Sequence, residues 1–597
     1  MEKTKKKQKE MKLKKNYMFK LIAFLLCLIV CIVIYAIYSY PRKIELEYTV
    51  SPYSVEEKIM NVNVKIKPLN KGNDKTFVLV KGSMLTSDEK CTDDLNRNVN
   101  FKSENGIVVM DKLSDDAKYL NYSYKVTIGG AGKHGDNGQA YQDMLTFAGE
   151  SVLALPLRAL NYDSVKEDII NKISVKCLTP NTWEAIIPFA KEGDNALTEI
   201  DKPSWNNLYE IRQGTFTFGN FKKDVHIDSK GKGYTVYIDN NAEQYYDENA
   251  KKGIENLYNY YTELFNYDMD NYSIVLLRKS EENKNYIIGG LCTQNVASTF
   301  DPSNKRDWQL LSHRVFHSFF ESKIPSDRYL KAPLLEFYEG LATYYENMAL
   351  ESLPDNIKTS LKISPEKELG YLFERYTYMK LKDPQNLSLI PLEEVQLQSS
   401  PARIEFLHYT QMPLTVSYME DLVGKKTGKK NNIISYIMDN SRDTTVTVEK
   451  IVSKLLGKDA DSFENKYLTG SEILPLWSTM ANKNKDDKET VKRLNDYELE
   501  LYTWFSLENQ LYQFDITEDT DLVKLSKEAE KEGAVFADKA TEETIKNTSP
   551  TIYNLLKEYA LRAKVCSVAY SDTALREKLT ASKSNLDKWD TFKKNLK

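Results

Sequence analysis

The sequence predicts an α+β protein with a single N-terminal transmembrane helix, a β-sandwich-like domain, a mostly α domain and a C-terminal helical bundle. Three observations carry that prediction. Leu21 to Tyr38 is an unbroken run of 18 apolar or aromatic residues. Hydrophobicity alternates with period two in short runs from about Ile44 to Ile238, and a helical period of about 3.6 replaces it after about Asn240. With 597 residues, 41% of them hydrophobic and 11% aromatic, the chain has room for several packed domains of ~100–200 residues each. That content excludes a disordered chain, and six Cys are too few for a disulfide-built scaffold.

The net charge of −4 averages two unlike parts. Residues 1–20 hold nine Lys against Glu2 and Glu10, a net +7, and 21–40 are uncharged, which leaves −11 for residues 41–597. As a helix the apolar run would be about 27 Å long at ~1.5 Å per residue, close to the ~30 Å of a bilayer's hydrocarbon core. Lysines held in the cytoplasm orient such a helix. The expectation is a single-pass cell-membrane protein: a cytoplasmic basic tail at 1–20, a signal anchor at 21–40, and the bulk of the chain extracytoplasmic. A cleaved signal peptide would have an apolar core of ~7–15 residues and a small-x-small cleavage site, whereas this run is longer and ends in Tyr-Ser-Tyr-Pro. Nothing in the charge points to nucleic acid. Cys91, Cys177, Cys292 and Cys566 lie beyond the span without a C-x-x-C pair, so disulfides are permitted but not demanded.

Residues 41–240 read as the β-rich domain. Met60, Val62, Val64 and Ile66 alternate with polar neighbours, and similar runs occur at Thr76–Val80, Tyr122–Ile128 and Tyr234–Ile238. The glycine-rich stretch 129–135 lacks the Gly-Lys-Ser/Thr ending of a phosphate loop and reads as a surface loop. Residues 241–476 read as a mostly helical domain, with helices at Glu248–Phe265 and Trp308–Phe320 around a strand at Tyr272–Leu277. In 477–597, Leu494, Tyr497, Leu501, Trp504, Phe505 and Leu511 keep the helical period, and Ser549-Pro550 offers a helix start before Ile552.

The chemistry concentrates on His313 and His317, four residues apart on a predicted helix, so that both imidazoles share one face. H-x-x-x-H alone is common by chance, and two structural histidines would explain it. A second predicted helix, L-L-E-F-Y-E-G-L-A-T-Y-Y, puts Glu339 22 residues after His317. Two His from one helix and a Glu from the next form the His₂Glu set of a catalytic zinc site, with a fourth position open to water.

With these residues the chain resembles the glycyl-aminopeptidase-type metallopeptidases, gluzincins related to aminopeptidase N. The resemblance spans residues 45–476. It includes G-D-N-G-Q-A-Y-Q-D-M-L-T-F-A-G-E-S-V-L-A-L-P-L (135–157), Pro180–Trp183, G-G-L (289–291), H-x-x-x-H, E-G-L-A-T-Y-Y (339–345) and L-L-G-K-D-A-D-S-F-E-N-K-Y-L-T-G-S-E-I-L-P-L (455–476). It implies a thermolysin-like gluzincin catalytic domain, Zn as cofactor, His313, His317 and Glu339 as its ligands, and a peptide substrate. It also matches Tyr409 to the tyrosine that stabilises the oxyanion, although the usual Y-x-K-G context here reads Tyr409-Thr410-Gln411-Met412.

Two departures change the functional reading. The helix of the family reads H-E-x-x-H, with the Glu as general base, but that position here is Arg314. A guanidinium does not accept a proton and adds fixed positive charge beside the metal position. The family's G-G-L-E-H becomes Gly289-Gly290-Leu291-Cys292-Thr293, which removes the carboxylate expected to hold a substrate's amine. Glu321 and Glu336 are the nearby acids, read as surface or capping residues. The expectation is therefore a membrane-anchored pseudopeptidase that binds a peptide or protein partner. The alternative is an active zinc aminopeptidase with altered chemistry. If zinc is absent, Arg314 is expected to take its place as the counter-ion of Glu339.

Overall fold

The computed structural model describes residues 42–476 apart from short stretches, chiefly 71–75, 129–137, 157–168, 280–286, 289–292 and 383–404, and beyond them Thr479, Arg493 and Tyr497. The expected anchor at 21–40, the expected loop at 129–135 and nearly all of the expected bundle at 477–597 lie outside the described residues. Among the described residues no helix is long and apolar enough to cross a membrane.

The first unit follows from period-two burial. In Ile59–Pro68 the alternate residues Met60, Val62, Val64 and Ile66 are buried, as are Ile44, Leu46, Tyr48 and Val50 in Lys43–Ser54. These strands belong to a seven-stranded sheet in which Lys43–Ser54 pairs parallel to Ile169–Cys177 and antiparallel to Ile59–Pro68. A four-stranded sheet containing Phe77–Val80 and Ile107–Met110 contributes Phe77, Leu79, Val108 and Met110 to the same core, so two sheets bury one apolar layer, as the sequence pattern implies. Cys91 and Cys177 sit in that layer as free thiols. Helix α1 (Trp205–Gln213) follows, started by a capping box in which the Ser204 side chain accepts from the backbone N–H of Asn207.

The second unit begins earlier than period counting suggests. The hairpin Phe221–Ile227 and Gly233–Asp239, placed by the sequence in the first domain, joins a five-stranded sheet through parallel pairing of Gly233–Asp239 with Tyr272–Leu277. Tyr234, Val236 and Ile238 enter the core of the helices, not of the sandwich. Alternation shows that a segment is a strand but not which core it faces, because that depends on its pairing partner.

Helices α2 (Glu248–Phe265), α3 (Lys305–Glu321), α4 (Leu334–Ala349), α5 (Pro365–Lys382) and α6 (Met412–Thr427) complete this unit. Asp247 caps α2 by accepting from the Ala250 N–H, and Asn304 caps α3 by accepting from Arg306. Gly253 lets α2 lie on the indole of Trp308, whose Cη2 would be 2.5 Å from an added Cβ. Gly340 does the same on α4, where a Cβ would collide with the Met412 side chain at the start of α6. These two close approaches set the spacing of the helices that carry the site.

Candidate metal centre and cleft

Helix α3 is fixed in rotation by its neighbours. Tyr261 of α2 hydrogen-bonds Ser312 at 2.8 Å and Tyr272 of the central sheet hydrogen-bonds Ser318 at 2.8 Å, so the residues flanking the two histidines are both tied down. Phe316 stacks on Tyr345 of α4 with ring centroids 5.7 Å apart, locking α3 against α4. With that geometry His313 and His317 face Glu339. The Nε2 atoms of the two imidazoles are 3.0 Å apart, His313 Nε2 lies 3.2 Å from Glu339 Oε2, and His317 Nε2 lies 3.5 Å from the same oxygen.

A tetrahedral zinc with bonds of about 2.0–2.1 Å sets neighbouring ligand atoms about 3.3–3.4 Å apart, so the three donors fit one metal with little movement. His317 is fully buried, whereas His313 is 8% and Glu339 9% exposed, and His313 lines the cleft beside the set. Burial drives the His317 pKa down to about 4, which keeps its imidazole neutral, as a ligand must be. Burial also opposes charge on Glu339, but the imidazoles of His317 and His313 outweigh it and hold this carboxyl well below the usual range. Burial disfavours a charged His313, and hydrogen bonds to Glu339 and Glu346 override that and raise its pKa.

Glu346 is a residue that the sequence reading missed. Its Oε2 lies 2.8 Å from His313 Nδ1, which orients the ring and leaves Nε2 for the metal position, the usual carboxylate–histidine arrangement behind a metal ligand. The available signal was its place seven residues after Glu339, two turns along the same face of α4. His317 Nδ1 has no comparable partner, and its ring instead packs edge-on against Tyr338, centroids 4.7 Å apart.

The other expected residues fall in different places. Tyr409 sits in a π-helical turn, Leu407–Gln411, at the mouth of the set, 6.0 Å from the His313 ring between centroids and 39% exposed. Burial of its hydroxyl, the charge of Glu339 and a hydrogen bond to that carboxylate raise its pKa well above that of an ordinary phenol. Thr293 does not line this cleft; it lines a separate pocket of about 190 Å³ with Glu210 and Glu321, and its hydroxyl donates to Glu210 Oε2 at 2.5 Å. Gly289, Gly290, Leu291 and Cys292 lie outside the described residues. Glu336 is not a surface cap but is 1% exposed and lies 3.4 Å from His408 Nε2, and Glu321 accepts from the Tyr338 hydroxyl at 2.8 Å.

Arg314 corrects one expectation. It does not pair with Glu339: both imidazoles already occupy Oε2 of that carboxylate, and Arg314 lines the adjacent cleft, where its Nε is buried without an acceptor. Consecutive helical residues point about 100° apart, so Arg314 is turned away from the face that His313 and His317 share.

No family model matches the sequence, and no curated protein does. An aminopeptidase N family protein from Idiomarina loihiensis has a similar structure, with a TM-score of 0.54 at 12% identity over 73% of this chain and 78% of that one. An M1 zinc metallopeptidase from Deinococcus radiodurans matches 73% of this chain and 95% of its own at 13% identity, but with a TM-score of 0.43 it adds nothing to the assignment. At such identity the likeness is one of fold. The chain has an α+β fold like that of this aminopeptidase N family protein, as the resemblance of its motifs implies.

Proposed function

We propose that this protein is a membrane-anchored, extracytoplasmic pseudopeptidase that binds a peptide or protein partner in its cleft without efficient hydrolysis. One observation carries the reading: Arg314 stands at the position of the general base, next to ligands that are otherwise in place. Glu339 is committed to the two imidazoles, and Glu346 is held behind His313 on the side away from the metal position. His313, His317 and Glu339 would hold zinc. In such a set zinc supplies Lewis-acid polarisation of a carbonyl and acidifies a bound water. Tyr409, whose hydroxyl donates to Glu339, would have to turn from that carboxylate to donate to a ligand oxygen beside the set. Arg314 accepts no proton, so the chain can bind and orient a peptide while lacking the residue that would activate water.

The second reading, a zinc aminopeptidase with altered chemistry, draws support from the intact ligand set and Tyr409. To separate the two, the full chain is purified in detergent, its zinc content measured, and hydrolysis of peptides with N-terminal Gly or Ala followed with and without a chelator. The pseudopeptidase reading expects peptide binding with no chelator-sensitive turnover. Turnover that a chelator abolishes establishes the alternative.

A further inference from the structure

We propose that the cleft beside His313 and Tyr409 is a carboxylate-binding site in which Arg314 pairs with the C-terminal or side-chain carboxylate of a peptide. This deepens the peptide-binding reading and rests on it. The cleft has a volume of about 540 Å³, within the ~300–1,000 Å³ range of pockets that enclose small ligands. Its charged lining consists of Arg306, Arg314, Arg375, Glu346 and Glu368.

The charges in that lining are unevenly satisfied. Glu368 accepts from Lys305 at 2.6 Å, and Glu346 accepts from His313 Nδ1 with Arg306 at 3.8 Å. Arg375 donates to the Thr410 hydroxyl at 2.5 Å. Among the described residues Arg314 has no ion pair, and its Nε–H is buried without an acceptor. A buried donor left unsatisfied is costly, and a carboxylate is the ligand group that best answers a guanidinium, because its two oxygens match the parallel N–H bonds of the fork. A free amine would find both carboxylates of the lining, Glu346 and Glu368, already engaged by His313 and Lys305, with three guanidiniums beside them. The cleft is thus suited to the acidic end or an acidic side chain of a peptide, not to its amino terminus.

The test uses the full chain in detergent, titrated calorimetrically with three N-acetylated tripeptides: Ala-Ala-Ala with a free C-terminal carboxylate, the same peptide as its amide, and the amide of Ala-Glu-Ala. At least one carboxylate peptide is expected to bind about tenfold or more tightly than the neutral amide, and which one does so identifies the source of the carboxylate. The preference is expected to shrink with added salt, persist in the presence of EDTA, disappear in Arg314→Gln and return in part in Arg314→Lys. Equal binding of acid and amide overturns the inference and leaves peptide binding intact. Loss of the preference on chelation alone assigns the carboxylate to the metal and also overturns it. Absence of binding by all three peptides removes this inference and the peptide-binding reading together. Should Arg314→Gln not fold, the acid-against-amide and EDTA comparisons on the unaltered chain still decide.

Discussion

In Arg314→Glu, helix α3 would carry a carboxylate beside two imidazoles whose Nε2 atoms already lie 3.0 Å apart. A positioned general base contributes typically ~10²–10⁴-fold, so the variant is expected to gain at least about 10²-fold in chelator-sensitive cleavage of the N-acetylated tripeptides named above, measured by the appearance of a new free amine. A zinc-loaded variant no faster than the unaltered protein would show that something other than the missing base prevents turnover. Glu346 predicts a separate effect. Glu346→Gln weakens the acceptor that orients His313 and is expected to lower zinc affinity by about 10–100-fold, read by competition with a chromophoric chelator, while leaving the melting temperature nearly unchanged. His313, His317 and Glu339 could be found from spacing because the i, i+4 rule and the order of two neighbouring helices are local. That Arg314 has no ion pair among the described residues could not, because it depends on which groups α4 and the π-helical turn bring to Glu339 and to the cleft.

At the scale of elements, α4 and α6 meet through Gly340, and that contact holds the turn bearing Tyr409 over Glu339. Gly340→Ala forces a Cβ into the Met412 side chain and is expected to destabilise the fold by roughly 1–3 kcal/mol, seen as a lower midpoint in chemical denaturation. A second contact joins α1 to the bend just before the strand Asn295–Thr299 through Glu210 and Thr293. Burial pushes the Glu210 carboxyl from near 4.5 up to about 7, against the hydrogen bonds from Thr293. A carboxyl whose pKa is higher when folded binds more protons folded than unfolded, so its contribution is full below about 4.5 and is lost as pH rises through about 7. Denaturation midpoints of the unaltered protein are therefore expected to fall over that window relative to Glu210→Gln, and parallel curves for the two would show that Glu210 does not titrate there. The helices Glu248–Phe265 and Leu334–Ala349 were readable because their periodicity lies within the segment, whereas Glu210's burial comes from residues about 80 positions away, such as Thr293.

For the whole molecule, the +7 of residues 1–20 against the −11 of residues 41–597 predicts a fixed topology about the apolar run at 21–38. Protease added to intact cells is expected to digest the body of the chain while an epitope at the N-terminus stays protected, and removal of residues 1–40 is expected to release the body from the membrane. Protection of the body in intact cells would reverse the orientation. The body itself joins a β unit to a helical unit, and the segment 221–239 shows how pairing decides membership. Its alternation resembles that of the first domain, yet its parallel partner Tyr272–Leu277 draws it into the second.

The sequence by itself determined the spacing of His313, His317 and Glu339, the presence of Arg314 between the two histidines, and the alternation and helical periods from which an α+β fold follows, because each is written in neighbours a few positions apart. Only the tertiary structure decided that Glu346 backs His313, that Glu339 is satisfied by imidazoles and not by Arg314, and that this guanidinium faces a cleft. Those outcomes depend on distances between α3, α4 and the turn at Tyr409, which are set by the packing of Gly340, Phe316 and Tyr345. Side chains separated by tens of residues compete there for the same few oxygens, and no local spacing records which of them wins.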